Sequence, residues 1–167
     1  GSSGGSHNSR RDHYTDTNNR IVGEAIAALK RAYAPRRTVI LAHSGGAAQA
    51  GVVLGRFPDL ADAALLVSCP CDVPRWRRMR NRSAWTQSQS PHSFIDQVAA
   101  GATVIAMTGA NDGNTDFSLA VDYAAALSAR GVAAQAIEVP GESHGFTGLW
   151  PSVRAQLFAY LDRPAGG

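Results

Sequence analysis

A serine, an aspartate and a histidine in this sequence have the types and surroundings needed for nucleophilic catalysis. Ser44 lies in Ala-His-Ser-Gly-Gly (42–46), Asp112 ends Gly-Ala-Asn-Asp, and His144 lies in Gly-Glu-Ser-His-Gly-Phe (141–146). A free serine hydroxyl is a weak nucleophile, so it needs a base to accept its proton and a carboxylate to orient that base. These residues could therefore attack a carbonyl group, with Ser44 as nucleophile, His144 as base and Asp112 as orienting acid.

Each of the three residues follows a segment that is predicted as a buried β-strand. Residues 38–42 form a short apolar run, which is typical of a strand buried on both faces of a parallel sheet. The segments 102–108 and 132–139 are also predicted as strands. Because the carboxyl ends of parallel strands share one edge of a sheet, we expect the three side chains to lie close together. A helix that starts at Gly45 would also direct free N–H groups at developing negative charge.

Strands and helices alternate along the rest of the chain. A further strand is predicted over 63–68, and helices are predicted over 45–55, 90–101 and 115–130. The first helix is indicated by apolar residues at helical spacing, which are Ile21, Val22, Ala25, Ile26, Leu29 and Tyr33. The last helix is indicated by residues expected to face inward, which are Val153, Leu157, Tyr160 and Leu161. This alternation predicts an α/β fold, with a parallel sheet covered by helices on both faces.

Composition predicts one soluble domain and excludes several classes of protein. The chain has 167 residues, of which 44% are hydrophobic, and a net charge of +3. No segment approaches the roughly 20 apolar residues of a membrane helix, and no charged-then-apolar leader begins the sequence. We expect no metal, no nucleic acid and no membrane as partner, and a cytoplasmic location is favoured over export.

The arginine-rich segment 70–90 interrupts the alternation and is predicted as a lid-like insertion. It divides a catalytic region over 20–163, which lies between a polar segment (1–19) and a tail (164–167). Five arginines lie within eight residues, from Arg75 to Arg82, together with Trp76 and, nearby, Trp85. This cluster could be a solvated rim, or it could contact an anionic substrate or a partner chain. Nucleic-acid binding is not expected, because no recognition module accompanies the charge.

Several other residues have alternative interpretations. Cys69 and Cys71 are one residue apart, so a mutual disulfide is predicted to need severe backbone distortion; they are expected to be small apolar side chains, or else a reactive thiol near the site. Asp116 is the alternative acid, and Ser44 could instead bind an anion at a helix N-terminus. Among the histidines, we expect His43 to pack or position, and three to lie on the surface: His7, His13 and His92.

Taken together, these motifs resemble those of an α/β-hydrolase of the prolyl-oligopeptidase-like or dienelactone-hydrolase-like branch. The matching pieces are 43–46, 90–91, 109–112 and 141–146, and the resemblance spans roughly 20–162. It implies hydrolysis of an ester or peptide bond through an acyl-enzyme, without metal or cofactor. The resemblance also implies that Ser44 is the nucleophile, Asp112 the acid and His144 the base, and that the Gly45 amide is one oxyanion donor. Weaker candidates for substrate contact are Trp76, Trp85 and Phe146, although Phe146 could equally be a core residue.

The second oxyanion donor has no evident source in this chain. The resemblance implies that it comes from a loop after an earlier strand, but only 43 residues precede Ser44. We therefore expect the chain to lack three or four N-terminal strands and to assemble with an N-terminal fragment of the same precursor. Residues 1–6 could be a linker or a native Gly/Ser-rich turn. Two rival hypotheses are a non-catalytic half-domain and a basic binding module that uses Arg75 to Arg82.

Overall fold

A computed structural model of the chain describes residues 13–163, which form one parallel sheet covered by helices. The four strands are paired in chain order, β1-β2-β3-β4, and their bounds are Val39–His43, Ala63–Val67, Thr103–Gly109 and Ala133–Val139. The α-helices α1 to α5 are Asp16–Tyr33, Gly45–Arg56, Val73–Met79, Ser118–Ser128 and Phe146–Leu161, and a 3₁₀ helix covers Pro91–Gln97. All four predicted strands are confirmed to within one residue at each end.

Helices cover both faces of the sheet, as the alternation predicted. On one face, α2, α4 and the 3₁₀ helix pack against the strands through a buried cluster that includes Leu54, Leu66, Val104, Tyr123 and Leu127. On the other face, α5 places Leu149 and Val153 against another cluster, which includes Val67, Ile105 and Met107. Full burial of a side chain of this size contributes about 1.5–3 kcal/mol. These two layers hold the carboxyl ends of the strands, and hence the loops that follow them, in fixed positions.

Helix α1 is formed as predicted, but much of its apolar face is exposed. It begins at Asp16, and Thr15 caps it by accepting a hydrogen bond from Asn18 N. The exposed fractions of its apolar side chains are 56% for Ile21, 58% for Leu29 and 77% for Tyr33. Next to this face lies β1, an edge strand of the described sheet. Helix and strand together line an open groove of about 510 Å³, which includes Leu29, Tyr33, Ile40 and Leu41.

The prediction that Cys69 and Cys71 do not pair is wrong, since the two residues form a disulfide. Their Cα atoms lie 5.1 Å apart, within the range that a disulfide spans. This separation is shorter than the roughly 6.6 Å that two residues span across one extended residue, so the backbone is bent at the intervening Pro70. Both residues are buried, and neither carries a free thiol, so a reactive thiol near the site is also excluded.

Three smaller expectations also changed. His13 is buried against the ring of Trp85 and is not a surface residue, whereas His92 is exposed as expected. Leu161, expected to face inward, is 43% exposed because α5 ends there, after its last buried residue, Tyr160. The predicted helix over 90–101 is a shorter 3₁₀ helix, which approaches α2 closely where Gly51 and Gly55 leave space. The predictions for His7, 1–6 and 164–167 lie outside the described residues.

None of the helices in the described part of the chain is long and apolar enough to cross a membrane.

Candidate active site

Ser44 lies in a strained turn between β1 and α2. Its backbone has φ 55° and ψ −122°, a combination that a residue with a side chain rarely adopts. The turn is held because Ser44 N donates to Val67 O at 2.8 Å, extending the β1–β2 ladder by one residue. Ser44 O in turn accepts from Ala47 N at 2.9 Å, which starts α2. The hydroxyl therefore projects at the end of the sheet, beside the amino end of a helix.

Asp112 follows β3 and is surrounded by donors from its own loop. Its carboxylate accepts hydrogen bonds from Asn114 N at 2.8 Å, from Thr115 N at 2.9 Å and from Thr115 Oγ1 at 2.6 Å. The side chain is completely buried. Burial by itself would raise the pKa of Asp112, but the hydrogen bonds from His144, Thr115 and Asn114 outweigh it and lower the pKa below its usual range. Asp112 is therefore an ionised acceptor at neutral pH.

His144 lies in the loop between β4 and α5 and connects the other two residues. Its Nδ1 is 3.0 and 2.9 Å from the two Asp112 oxygens, and its Nε2 is 2.9 Å from Ser44 Oγ. Because an ionised carboxylate can only accept, Nδ1 carries the hydrogen and Nε2 can accept the serine proton. The acid and base loops meet closely at Gly109, where an added Cβ would lie 2.3 Å from Glu142 O. The structure thus brings all three predicted residues together.

The alternative acid and the second histidine near the site have other contacts. Asp116 is exposed and accepts a hydrogen bond from Ser118 N at 2.9 Å, ahead of α4, so the contact with His144 belongs to Asp112. His43 Nε2 donates to the backbone carbonyl of His144 at 2.7 Å. Burial lowers the pKa of His43, so its neutral form is favoured. Its ring also lies 5.5 Å from that of Phe146, whose other neighbours include core residues and Trp150. His43 thus has the contacts of a positioning residue.

Three residues near the site were not anticipated from the sequence. Thr115 holds Asp112, and Asn114 places its Nδ2 3.3 Å from His144 Nε2. Tyr14 is buried, and its hydroxyl lies so close to Gly45 that an added Cβ there would be 2.8 Å away. An aspartate followed by threonine three residues later is a recognisable turn signal. By contrast, the contact of Tyr14 with Gly45 joins distant parts of the chain and leaves no local pattern.

Helix α3 uses much of the predicted arginine cluster for internal contacts. Arg75 pairs with Asp122 and donates to Ser118 Oγ at 2.9 Å, and Arg80 donates to the carbonyl of Gly113. Arg77 stacks on the Trp85 ring, 4.4 Å from its centroid, and Trp76 packs 5.6 Å from Trp85. Arg78 and Arg82 are exposed. The segment is consequently packed onto the body of the domain and is only partly a solvated rim.

Within residues 13–163, no group of three or more His, Cys, Asp or Glu side chains is arranged to hold a metal ion.

Comparison with known families matches nearly the whole chain. The model of the prolyl oligopeptidase family, a peptidase family, matches residues 5–166. The chain belongs to the prolyl oligopeptidase family. Membership of a peptidase family favours hydrolytic chemistry, without separating esters from peptides. A search of curated protein sequences found no match.

Solved structures share the fold of this family member at low sequence identity. Est1E from Butyrivibrio proteoclasticus is 13% identical with a TM-score of 0.71, and the match covers 91% of this chain and 73% of that one. A puromycin-hydrolyzing peptidase of Mycobacterium tuberculosis is 22% identical with a TM-score of 0.63, over 78% and 23%. A protein of unknown function from Agrobacterium tumefaciens is 23% identical with a TM-score of 0.61, over 87% and 62%. The α/β-hydrolase fold predicted from the motifs is thus confirmed.

The chain spans only part of these proteins, since it covers 62% of the Agrobacterium protein and 23% of the Mycobacterium peptidase. It therefore has the fold of a partial α/β-hydrolase domain, consistent with the predicted absence of N-terminal strands.

Proposed function

We propose that this protein is a serine hydrolase that cleaves an ester or peptide bond through an acyl-enzyme. The observation that carries the proposal is the continuous set of contacts from Asp112 to His144 Nδ1 and from His144 Nε2 to Ser44 Oγ, each close to 3 Å. Hydrogen-bond distances of this kind are what a nucleophile, a base and an orienting acid require. Family membership supports the same reaction class.

The reaction would proceed in two halves. Ser44 Oγ attacks the carbonyl carbon while His144 Nε2 accepts its proton, and Asp112 stabilises the imidazolium that forms. The tetrahedral oxygen accepts a hydrogen bond from Gly45 N–H at the amino end of α2, where the helix dipole also favours negative charge. His144 then donates the proton to the leaving alcohol or amine. Water attacks the acyl-enzyme by the same route, which releases the acid and restores Ser44.

For the second oxyanion donor, we assign the hydroxyl of Tyr14. Its position against Gly45 supports this role, because the Gly45 amide is the first donor. Burial raises the pKa of Tyr14 to about 12, against a small opposing effect of Arg77, so the phenol keeps its proton and can donate. Hydrogen bonds also fix its backbone, since Tyr14 N donates to Ser88 Oγ at 3.1 Å and Tyr14 O accepts from Gln89 N at 2.8 Å.

Tyr14→Phe tests this assignment. Loss of one oxyanion donor is expected to lower kcat about 10²-fold with little change in KM, and to weaken binding of a boronic acid that mimics the tetrahedral state. The matched control is Tyr123→Phe, because Tyr123 is also buried and its hydroxyl has no hydrogen-bond partner among the described residues. Equal kcat in wild type and Tyr14→Phe would exclude Tyr14 as a donor.

We also propose that an N-terminal piece of the same precursor adds strands to the free edge of β1. The exposed apolar side chains of α1, the open groove beside β1 and the half-exposed Leu41 all support an additional layer there. The greater length of the matching hydrolases supports the same conclusion. An unpaired strand edge readily accepts another strand.

Hydrogen exchange can test this assembly. We expect the amides of Val39–His43 to exchange more slowly when the proposed N-terminal piece is included than in the chain alone. The other edge strand, Ala133–Val139, serves as the internal control and should not change. Equal exchange of β1 in both forms would contradict the proposal. Protection that increases with the concentration of the chain alone, with a dimer in light scattering, would instead identify a second copy as the occupant.

A non-catalytic half-domain is the second candidate function, and the uncovered α1 and β1 surface favours it. The two candidates differ in their reaction with a fluorophosphonate, which modifies an activated serine. The hydrolase is expected to gain one adduct at Ser44, detected by intact mass. If no adduct forms, either in the chain alone or in the chain with the proposed N-terminal piece, the half-domain would be favoured. A basic module using Arg75 to Arg82 predicts instead salt-sensitive binding that survives the loss of Ser44.

A further inference from the structure

Helix α3 is fixed firmly to the domain, although the segment that contains it was predicted as a lid. Asp72 caps the helix by accepting from Arg75 N at 3.0 Å, and Val73 N donates to Ser90 Oγ at 3.0 Å. Val73 is buried together with Tyr14 and Ala48, next to the amino end of α2. The side chains of α3 therefore project from a rigid base toward the loop that follows β3.

Two side chains, one in α3 and one from the residue that follows it, donate to consecutive backbone carbonyls of that loop. Trp76 Nε1 donates to Asn114 O at 2.9 Å, and an Arg80 guanidinium nitrogen donates to Gly113 O. Each carbonyl belongs to a peptide unit whose N–H binds the Asp112 carboxylate. The Gly113 carbonyl shares its unit with Asn114 N, which is 2.8 Å from Asp112 Oδ1. The Asn114 carbonyl shares its unit with Thr115 N, which is 2.9 Å from the same oxygen.

This arrangement transmits orientation from α3 to the triad. A peptide unit is planar, so a donor that fixes the carbonyl also fixes the direction of the N–H on the other side of the same unit. A hydrogen bond to the carbonyl further polarises the unit and strengthens the bond that its N–H makes. The two N–H groups in turn hold Asp112, which holds His144 at 2.9 Å.

We propose that Trp76 and Arg80 are positioning residues of the hydrolase, acting through these two peptide units to hold Asp112 against His144. The proposal rests on the proposed function, because it assigns Asp112 and His144 their roles in catalysis. It gives the arginine- and tryptophan-rich helix a function other than substrate contact. Neither residue touches the reacting atoms in this role, so their effect is exerted through the acid alone.

Trp76→Phe and Arg80→Met test the proposal, with Arg78→Met as the matched control. Arg78 is exposed on the same helix as Trp76, and it does not donate to the loop over 112–115 among the described residues. Loss of one hydrogen bond to this loop is expected to lower kcat about 5- to 10-fold in each test variant, with KM unchanged. The control should keep the wild-type kcat. Arg80 is exposed, so its variant should fold even if Trp76→Phe does not.

Two readouts separate positioning from a general structural effect. A less firmly held Asp112 stabilises the imidazolium less, so the acidic limb of the kcat/KM profile should move to lower pH in both test variants. The low-field proton resonance of His144 Nδ1–H should broaden and exchange faster with water. Unchanged pH profile and resonance would overturn the proposal, and a raised KM alone would make Trp76 a substrate contact. The resonance is measured without substrate, so it tests the positioning role even if the wild type has no activity. Absence of activity in the wild type would reject only the proposed function.

Discussion

Ser44→Ala is expected to remove turnover and fluorophosphonate labelling together. The alanine variant has no nucleophile, and His144 and Asp112 cannot compensate because the triad acts as a unit. The expected loss in kcat is on the order of 10⁶-fold. Steady-state rates with a small activated ester and with a peptide amide, combined with intact-mass detection of the adduct, measure both effects.

The matched control for this variant is Ser143→Ala, an exposed serine in the loop of the catalytic histidine. It should keep both the rate and the single adduct. The fold of Ser44→Ala should be retained, since alanine has the same Cβ as serine and so meets the same backbone strain at φ 55°. Turnover that persists in Ser44→Ala would mean that another residue is the nucleophile, and the assignment of the site would then be wrong.

Asp112→Asn is expected to lower kcat on the order of 10⁴-fold while the substrate still binds. The amide NH₂ of asparagine can donate to Nδ1, which favours the tautomer with its hydrogen on Nε2, and that nitrogen can no longer accept the serine proton. Asp116→Asn provides the comparison, because Asp116 is the aspartate that the sequence offered as an alternative acid. It should keep nearly the wild-type rate, and a large loss at Asp116 with little loss at Asp112 would reverse the assignment.

The same substitution has a predictable effect on stability. Folding lowers the pKa of Asp112, so its ionised form stabilises the folded state above the pKa of the unfolded chain, about 3.9. This contribution disappears as the pH falls through the still lower folded pKa. The difference in unfolding free energy between wild type and Asp112→Asn should therefore be larger at pH 7 than at pH 3, as measured by urea denaturation. A difference that does not depend on pH would mean that the carboxylate charge is not stabilised by folding.

The triad could be predicted because its signals are local. Ser44, Asp112 and His144 each follow a strand that is recognisable from its apolar residues, and a parallel sheet places the ends of such strands together. The same reasoning defined the sheet itself, since the strands were recognised from their apolar residues, although β1 and β4, at the edges of the described sheet, are only partly buried. Sequence alone was sufficient for these features because neighbouring residues determine them.

Features that depend on contacts between distant segments were not predictable in this way. The hydroxyl of Tyr14 reaches Gly45, and Trp76 reaches the carbonyl of Asn114, through packing that leaves no pattern along the chain. The disulfide was misjudged for a different reason, since the bend of the backbone at Pro70, rather than the spacing, determines whether Cys69 and Cys71 can meet. For α1, the helical spacing predicted an apolar face correctly but could not say whether the chain itself covers it.

The open edge of β1 also affects how the protein can be handled. A strand edge with free backbone groups, next to exposed apolar side chains such as Leu29 and Tyr33, is the kind of surface through which β-proteins aggregate. Chains produced without a covering segment would pair with one another at this edge, and this association would increase with protein concentration. Soluble yield would then depend on whether the edge is covered, independently of whether the catalytic residues are correctly arranged.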